Sequence, residues 1–364
     1  MAVPLFATSL DRCKPRLNEK LAEVVAGGRF ILGPEVEAFE AELAGYLGVA
    51  HCVGVGNGTD ALAIALRALG VGPGDEVVCP SYTFYATVEA ALDIGAKPVF
   101  CDIDPETFCV TAETVRAVMG PRTRAIIAVH LFGNVAPVDE LRALGVPVLE
   151  DAAQALGARL HGIPAGTLGD AATFSFFPSK NLPGLGDGGA VVTDDGEVAK
   201  LARRLRSHGS DDKRTFVEVG YNSRLDELQA AALRVLLPEL DGWNAARRAA
   251  AEAYERAGLG EHLALPRPGP GAEHVYHLYV ARHERADELA AALGRRGIGA
   301  RGYYRVPIHR QPATLHLAPS GDRALAQTEL AARTGLALPM GPELGADAVD
   351  EVVEAVAACA SGSI

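Results

Sequence analysis

Short apolar runs rich in Val, Ile and Phe recur along the first half of the chain, and longer stretches with helically spaced apolar positions lie between them. That alternation is the pattern of a parallel sheet with crossover helices. It predicts strands over residues 51–56, 75–83, 97–104, 124–133, 146–151, 173–178 and 189–195. Several are apolar on consecutive residues, as strands covered on both faces are. Helices are expected over 33–48, where Pro34 takes a first-turn position with glutamates near the positive end of the dipole, and over 58–70, stopping at Gly70. From Ser223 to about Gly258 the spacing is again helical, with a kink or break at Pro238. Beyond it a loop (266–274), a strand (274–282) and a helix (285–297) follow. The expected fold class is therefore α/β: a large domain over residues 1–240 with a mostly parallel sheet, and a smaller C-terminal α/β domain over 241–364.

Composition narrows the partners. The chain has 364 residues, 49% of them hydrophobic, enough for a large core or two adjoining ones. A net charge of −12 argues against a nucleic-acid footprint, although a few arginines in a cleft still suit a small anion. The six cysteines show no C-x-x-C spacing, which fits a reducing cytoplasm. The first twenty residues carry charges where a signal peptide needs apolar residues, and no apolar run is long enough to cross a bilayer.

Three stretches carry candidate chemistry. In "GVGNGTDALAIAL" a strand runs through a glycine turn into a helix, so the N–H groups of Gly58 and Thr59 suit a phosphate; a dinucleotide site is equally open here. In "VPVLEDAAQALGA" an apolar strand ends on Glu150 and Asp151, and one helical turn would bring Gln154 to the side of Asp151; a plain helix cap at Asp151 is the alternative. "FSFFPSKNLPGLGDGG" holds Lys180, one of only six lysines among 34 basic residues. A primary amine can form an imine with an aldehyde and arginine cannot, which explains a lysine at this place. Ser175 would add a hydroxyl to the phosphate, and the glycines after Lys180 would let backbone approach a flat ring.

Together with Phe84 in "PSYTFYAT", these pieces match the needs of pyridoxal phosphate: an amine for the aldehyde, N–H groups for the phosphate, an anion for the ring nitrogen and a flat neighbour for the ring. A charge-assisted bond to Asp151 is worth about 1.5–3 kcal/mol against about 0.5–1.5 for stacking on Phe84, so the carboxylate matters more. His274 and His277 of "HVYH" would fall on opposite faces of the expected strand, a poor arrangement for sharing a metal.

The motifs "GNGTDALAIALRALGVGPGDEVVCPSYTF", "VLEDAAQALGA", "FSFFPSKNL", "GYNSRLDELQAA" and "VPIHRQPA", in this order over most of the chain, resemble the DegT/StrS-type sugar aminotransferases. These are pyridoxal phosphate enzymes of fold type I, the aspartate aminotransferase fold. The resemblance implies that Lys180 links to the cofactor, Asp151 pairs with its ring nitrogen, Gln154 meets its ring hydroxyl, Gly58, Thr59 and Ser175 hold its phosphate, and Phe84 covers the ring. It further implies a homodimer with shared active sites, in which Asn222 reaches the partner's phosphate, a helix cap being the other reading. Arg224, Tyr303 and His309 would face the sugar nucleotide, a solvated helix arginine being the other reading of Arg224 and a purely structural loop histidine that of His309. A lysine where one branch of the family has histidine favours transamination over dehydration. The run Asn222-Ser223-Arg224 resembles enzymes that aminate C3 of a nucleotide-linked keto-deoxyhexose, with L-glutamate as donor; C4 amination is the runner-up. An oxidoreductase using a dinucleotide and a cofactor-binding regulator are the rival classes. Where relatives read His-Tyr-Pro, this chain has Tyr303, Tyr304 and Arg305.

Overall fold

A computed structural model describes residues 2–8, 10–318 and 325–360. Seven strands form the large sheet: β1 (His51–Val55), β2 (Glu76–Pro80), β3 (Lys97–Cys101), β4 (Thr123–Val129), β5 (Val148–Asp151), β6 (Ala171–Ser175) and β7 (Gly189–Thr193). Their order is β1-β7-β6-β5-β4-β2-β3; β7 runs antiparallel to both its neighbours and every other adjacent pair is parallel.

Alternate residues feed opposite cores, which is why consecutive positions are apolar. Ala125 and Ile127 of β4 join one cluster while Ile126 and Ala128 join another, and Val191 of β7 opposes Ala190 and Val192 in the same way. One face is covered by helices Gly58–Ala68, Ala86–Asp93 and Gly196–Leu205, the other in part by Pro34–Leu47 and Glu227–Leu236. Sheet and helices thus form three layers. Full burial of Leu62, Ile64 and Leu66 fixes the helix over β6 and β7, each side chain contributing about 1.5–3 kcal/mol.

All seven strands are shorter than the runs expected for them, and two of them begin earlier as well. The run 124–133 leaves the sheet after Val129 and tightens into a 3₁₀ turn at Leu131–Gly133. The run 173–178 starts earlier, at Ala171, and ends at Ser175. Pro178 offers no N–H for a ladder, and the chain turns there, with the Lys180 N–H donating to Phe177 O at 2.8 Å. Pro238 lies in a 3₁₀ turn, Leu237–Glu239, between helices Glu227–Leu236 and Leu240–Arg256.

Towards the C-terminus, strand Tyr279–Arg282 pairs antiparallel with Gly335–Leu338. Helices Leu240–Arg256, Ala286–Arg295 and Ala346–Ala360 pack on this pair through Tyr254, Leu289, Leu293, Val352 and Val356. Val3 and Phe6 are bridged to Ile298 and Met340, so the start of the chain joins this second core. The strand expected from His274 begins only at Tyr279, which leaves both His274 and His277 in the irregular segment ahead of it. All six cysteines are buried and unbridged; burial pushes the thiols of Cys79 and Cys109 up to about 12 and raises those of Cys52 and Cys101 as well. Among the described residues no helix is long and apolar enough to cross a membrane.

Candidate active site

β2, β4, β5 and β6 run parallel and end on the same edge, and open α/β sheets bind ligands outside the carboxyl ends of their strands. A cleft of about 890 Å³ lies there, lined among others by Gly58, Thr59, Phe84, Asp151, Gln154, Ser175, Lys180 and Tyr303. Eight of the eleven residues singled out from sequence therefore share one wall.

Asp151 is the last residue of β5 and 6% exposed. No helix follows it: the chain enters turns, and its Oδ1 accepts only from the Ala153 N–H at 3.3 Å, so the helix-cap alternative fails. Its Oδ2 accepts the Thr87 hydroxyl at 2.8 Å, and Thr87 meets the Thr83 hydroxyl at 3.0 Å. Burial pushes the carboxyl above its usual value, opposed by Thr87, by the Ala153 N–H and by the Lys180 charge. Glu150, one residue earlier, points the other way, as strand alternation requires. It accepts N–H groups of Gly166, Leu168 and Gly169 and pairs with His130 Nε2 at 2.7 Å. Because the Ala136 N–H donates to His130 Nδ1, the imidazole proton sits on Nε2.

Thr87 was not identified from the sequence, although it lies three residues beyond Phe84, in the first turn of helix Ala86–Asp93. Replacing it by Val should leave Asp151 with one polar partner fewer and raise its carboxyl further. Since such bonds to a charged group are worth about 1.5–3 kcal/mol, kcat should fall about 10- to 100-fold, with Thr87→Ser restoring most of it in steady-state assays.

Lys180 sits in the turn after β6, half-buried. Burial lowers its amine from 10.5 to about 8, against the pull of Asp151. The helix opposite begins at Gly58; Asn57 caps it by accepting the Asp60 N–H at 2.8 Å, while Gly58 and Thr59, on the cleft wall, have no intrahelical acceptor for their N–H groups. Ser175 closes this corner so tightly that a Cβ at Gly58 would lie 2.8 Å from the Ser175 Cβ.

The glycines after Lys180 do not face the cleft. A Cβ at Gly189 would meet Asn57 O at 2.4 Å, and Gly184, Gly186 and Gly188 press against Phe176, Gln229 and Leu225. They let β7 and its approach pack on the helix start, a correction to their expected role against a ring.

Gln154 is 7% exposed; its Oε1 accepts the Phe132 N–H at 2.7 Å and its Nε2 donates to the Tyr304 hydroxyl at 3.2 Å. Tyr304 stacks on Phe132 with centroids 6.2 Å apart and tilts towards Phe84, which is exposed on the rim. Arg301, also on the wall, lies over Tyr303 with its guanidinium 5.2 Å from the ring centroid. Tyr304 and Arg301 were not assigned from sequence, because only tertiary packing brings that loop to Gln154.

Three expected residues lie off this wall. His309 is buried, with Nδ1 2.7 Å from the Ser81 hydroxyl and Nε2 2.8 Å from Glu329; both ring nitrogens are committed to fixing its loop. Asn222 is exposed, bridges to Ser207 and accepts a hydrogen bond from Arg224, while Asp226 occupies the helix N-cap. Arg224 is half-buried and spends a donor on Asn222.

An amine of lowered basicity, a buried carboxylate, a helix start with free N–H groups and a planar rim fit pyridoxal phosphate. The fold and these residues define the class of aminotransferases that use this cofactor. The chain belongs to the DegT/DnrJ/EryC1/StrS aminotransferase family, whose model matches residues 12–357. It is 44% identical over 366 residues to a "Pleiotropic regulatory protein" of Geobacillus stearothermophilus, covering 98% of each chain. It is 46% identical over 352 residues to the dTDP-3-amino-3,4,6-trideoxy-alpha-D-glucose transaminase of Streptomyces venezuelae, covering 95% of this chain and 92% of that one. The crystal structure of S. venezuelae DesV in complex with a ketimine intermediate superposes with a TM-score of 0.95 at 43% identity, covering 100% of both chains. The protein is a pyridoxal phosphate-dependent sugar aminotransferase of fold type I.

Proposed function

We propose that this enzyme moves an amino group from L-glutamate to C3 of a nucleotide-linked keto-deoxyhexose, and that it does so in the cytoplasm as a homodimer. The observation that carries the reading is one cleft holding both the depressed amine of Lys180 and the buried carboxyl of Asp151. Relatives named as 3-amino-sugar transaminases and as a UDP-sugar 3-aminotransferase support the position of transfer.

Bound pyridoxal phosphate supplies an aldehyde and an electron-withdrawing ring. The rest falls to the chain. Lys180 Nζ, neutral and free, takes the proton from the donor α-carbon and later returns one to the sugar carbon. Asp151 keeps the proton on the ring nitrogen by charge and hydrogen bond, with Thr87 holding the carboxylate in place. Gly58, Thr59 and Ser175 receive the phosphate, Gln154 the ring hydroxyl, and Phe84 the ring face. Tyr303 lies where the sugar nucleotide enters, while Asn222 and Arg224, off the wall of their own cleft, are assigned to the partner's site.

The test is a panel of dTDP-, UDP- and GDP-linked keto sugars offered with glutamate. Mass spectrometry and NMR should show a new C–N bond at C3 of at least one and release of the ketoacid. A bond at C4 overturns the position, and ketoacid from none of them overturns the substrate class.

A further inference from the structure

His277 lines the cleft together with Lys180 and is 4% exposed, yet its Nδ1 has no hydrogen-bond partner. A buried polar atom left unpaired costs about 1–3 kcal/mol, and the transamination described above does not use it. The backbone on either side of it is held firmly. The Val275 N–H donates to Gly133 O at 2.9 Å and the Leu278 N–H to Phe132 O at 3.3 Å, while Asn181 Nδ2 donates to Val275 O at 3.1 Å. Asn181 follows Lys180 directly, and Phe132 is the residue that donates to Gln154. Gly133, with φ of 99°, lets that loop approach so closely that a Cβ there would lie 2.9 Å from the His277 backbone nitrogen. His277 is thus braced between the segment carrying the lysine and the loop that fixes Gln154.

Its electrical surroundings are unusual for a histidine near an active amine. Burial, the Lys180 charge and the Arg247 charge all hold the imidazole well below its usual value, and both of those charges are positive. The ring stays neutral at working pH: it can accept a hydrogen bond but does not take up a proton.

We propose that His277 is a positioning residue for Lys180: with its own proton on Nε2, it accepts an N–H of the freed amine at Nδ1 and so turns the nitrogen lone pair towards the substrate carbon. An acceptor that does not become protonated gives direction without competing for the proton that Lys180 must carry. A carboxylate in this place would hold the lysine as ammonium and remove the base.

The inference rests on the role of Lys180 proposed above, and the experiment separates the two. Holoenzyme carrying His277→Phe, His277→Asn or His277→Gln is mixed with Cα-deuterated glutamate and no sugar, and deuterium release into water is followed beside the visible absorbance of the bound cofactor. His277→Phe should keep the colour and the glutamate KM within about twofold but release deuterium about 10- to 100-fold more slowly, with a larger isotope effect. His277→Asn, whose amide reaches the Nδ1 position, should recover most of the rate, and His277→Gln should not. Wild-type release by His277→Phe overturns the proposal, as does rescue by Gln in place of Asn. Should the Phe variant not fold, the Asn and Gln pair decides alone. A wild-type enzyme that never develops the absorbance overturns the Lys180 reading itself.

Discussion

Lys180→Ala is expected to fold normally, to develop no imine absorbance beyond the spectrum of free pyridoxal phosphate when mixed with it, and to lose turnover by about four orders of magnitude. The size follows from two losses at once, the covalent anchor and the base. With an amine at about 8, roughly one lysine in ten is neutral at pH 7, against about one in three thousand at the ordinary 10.5; burial, net of the pull of Asp151, multiplies the reactive form about 300-fold. The sign of the pH dependence follows. Below about 8 the amine is protonated and inert, so the rate at which apoprotein captures pyridoxal phosphate should climb about tenfold per pH unit and level off above pH 8. A stopped-flow absorbance series measures this directly. A wild-type plateau only above pH 10, or an Ala variant that shows the imine band and turns over without added amine, would contradict the assignment.

The second large effect is Asp151→Asn. The amide keeps the shape and can still accept the Thr87 hydroxyl, so the fold should hold while the charge and the acceptor for the Ala153 N–H are lost. Removing one partner of a buried charge pair costs about 3–5 kcal/mol, which corresponds to a fall in kcat of about 10²- to 10³-fold or somewhat more. Burial lifts this carboxyl when it stands alone, and a cationic ring nitrogen beside it reverses that shift; the Asn variant should therefore release the cofactor more readily on dialysis. Single-turnover rates with glutamate and the fraction of cofactor retained give both numbers. A rate within tenfold of wild type would remove Asp151 from the mechanism.

Much of the sheet was legible because strand burial on both faces leaves an unmistakable mark, consecutive apolar residues between turn signals. Its limits were less so: β6 ends at Ser175, ahead of the turn at Pro178, whereas the hydrophobicity of Phe174, Phe176 and Phe177 runs on past the strand. Within the site, Gly58, Asp151 and Lys180 could be read from local rules, as each sits at the end of an element whose type the sequence reveals. Thr87, Tyr304 and His277 act across the fold, on partners 64, 150 and about a hundred residues away, and no local spacing encodes such contacts. His309 shows the converse: a histidine in a motif associated with substrate loops turned out to clamp Ser81 to Glu329.

The buried thiols bear on how this enzyme can be handled at the bench. With all six sulfurs enclosed, and four of them raised in pKa, alkylating reagents in neutral buffer meet almost no thiolate while the chain stays folded. A single cysteine placed at an exposed position such as Val219, which is 86% exposed, then becomes the point of attachment for a fluorophore or cross-linker with every native sulfur left in place. Under rising denaturant the native thiols themselves become the clock, each labelled only when its layer of the molecule opens.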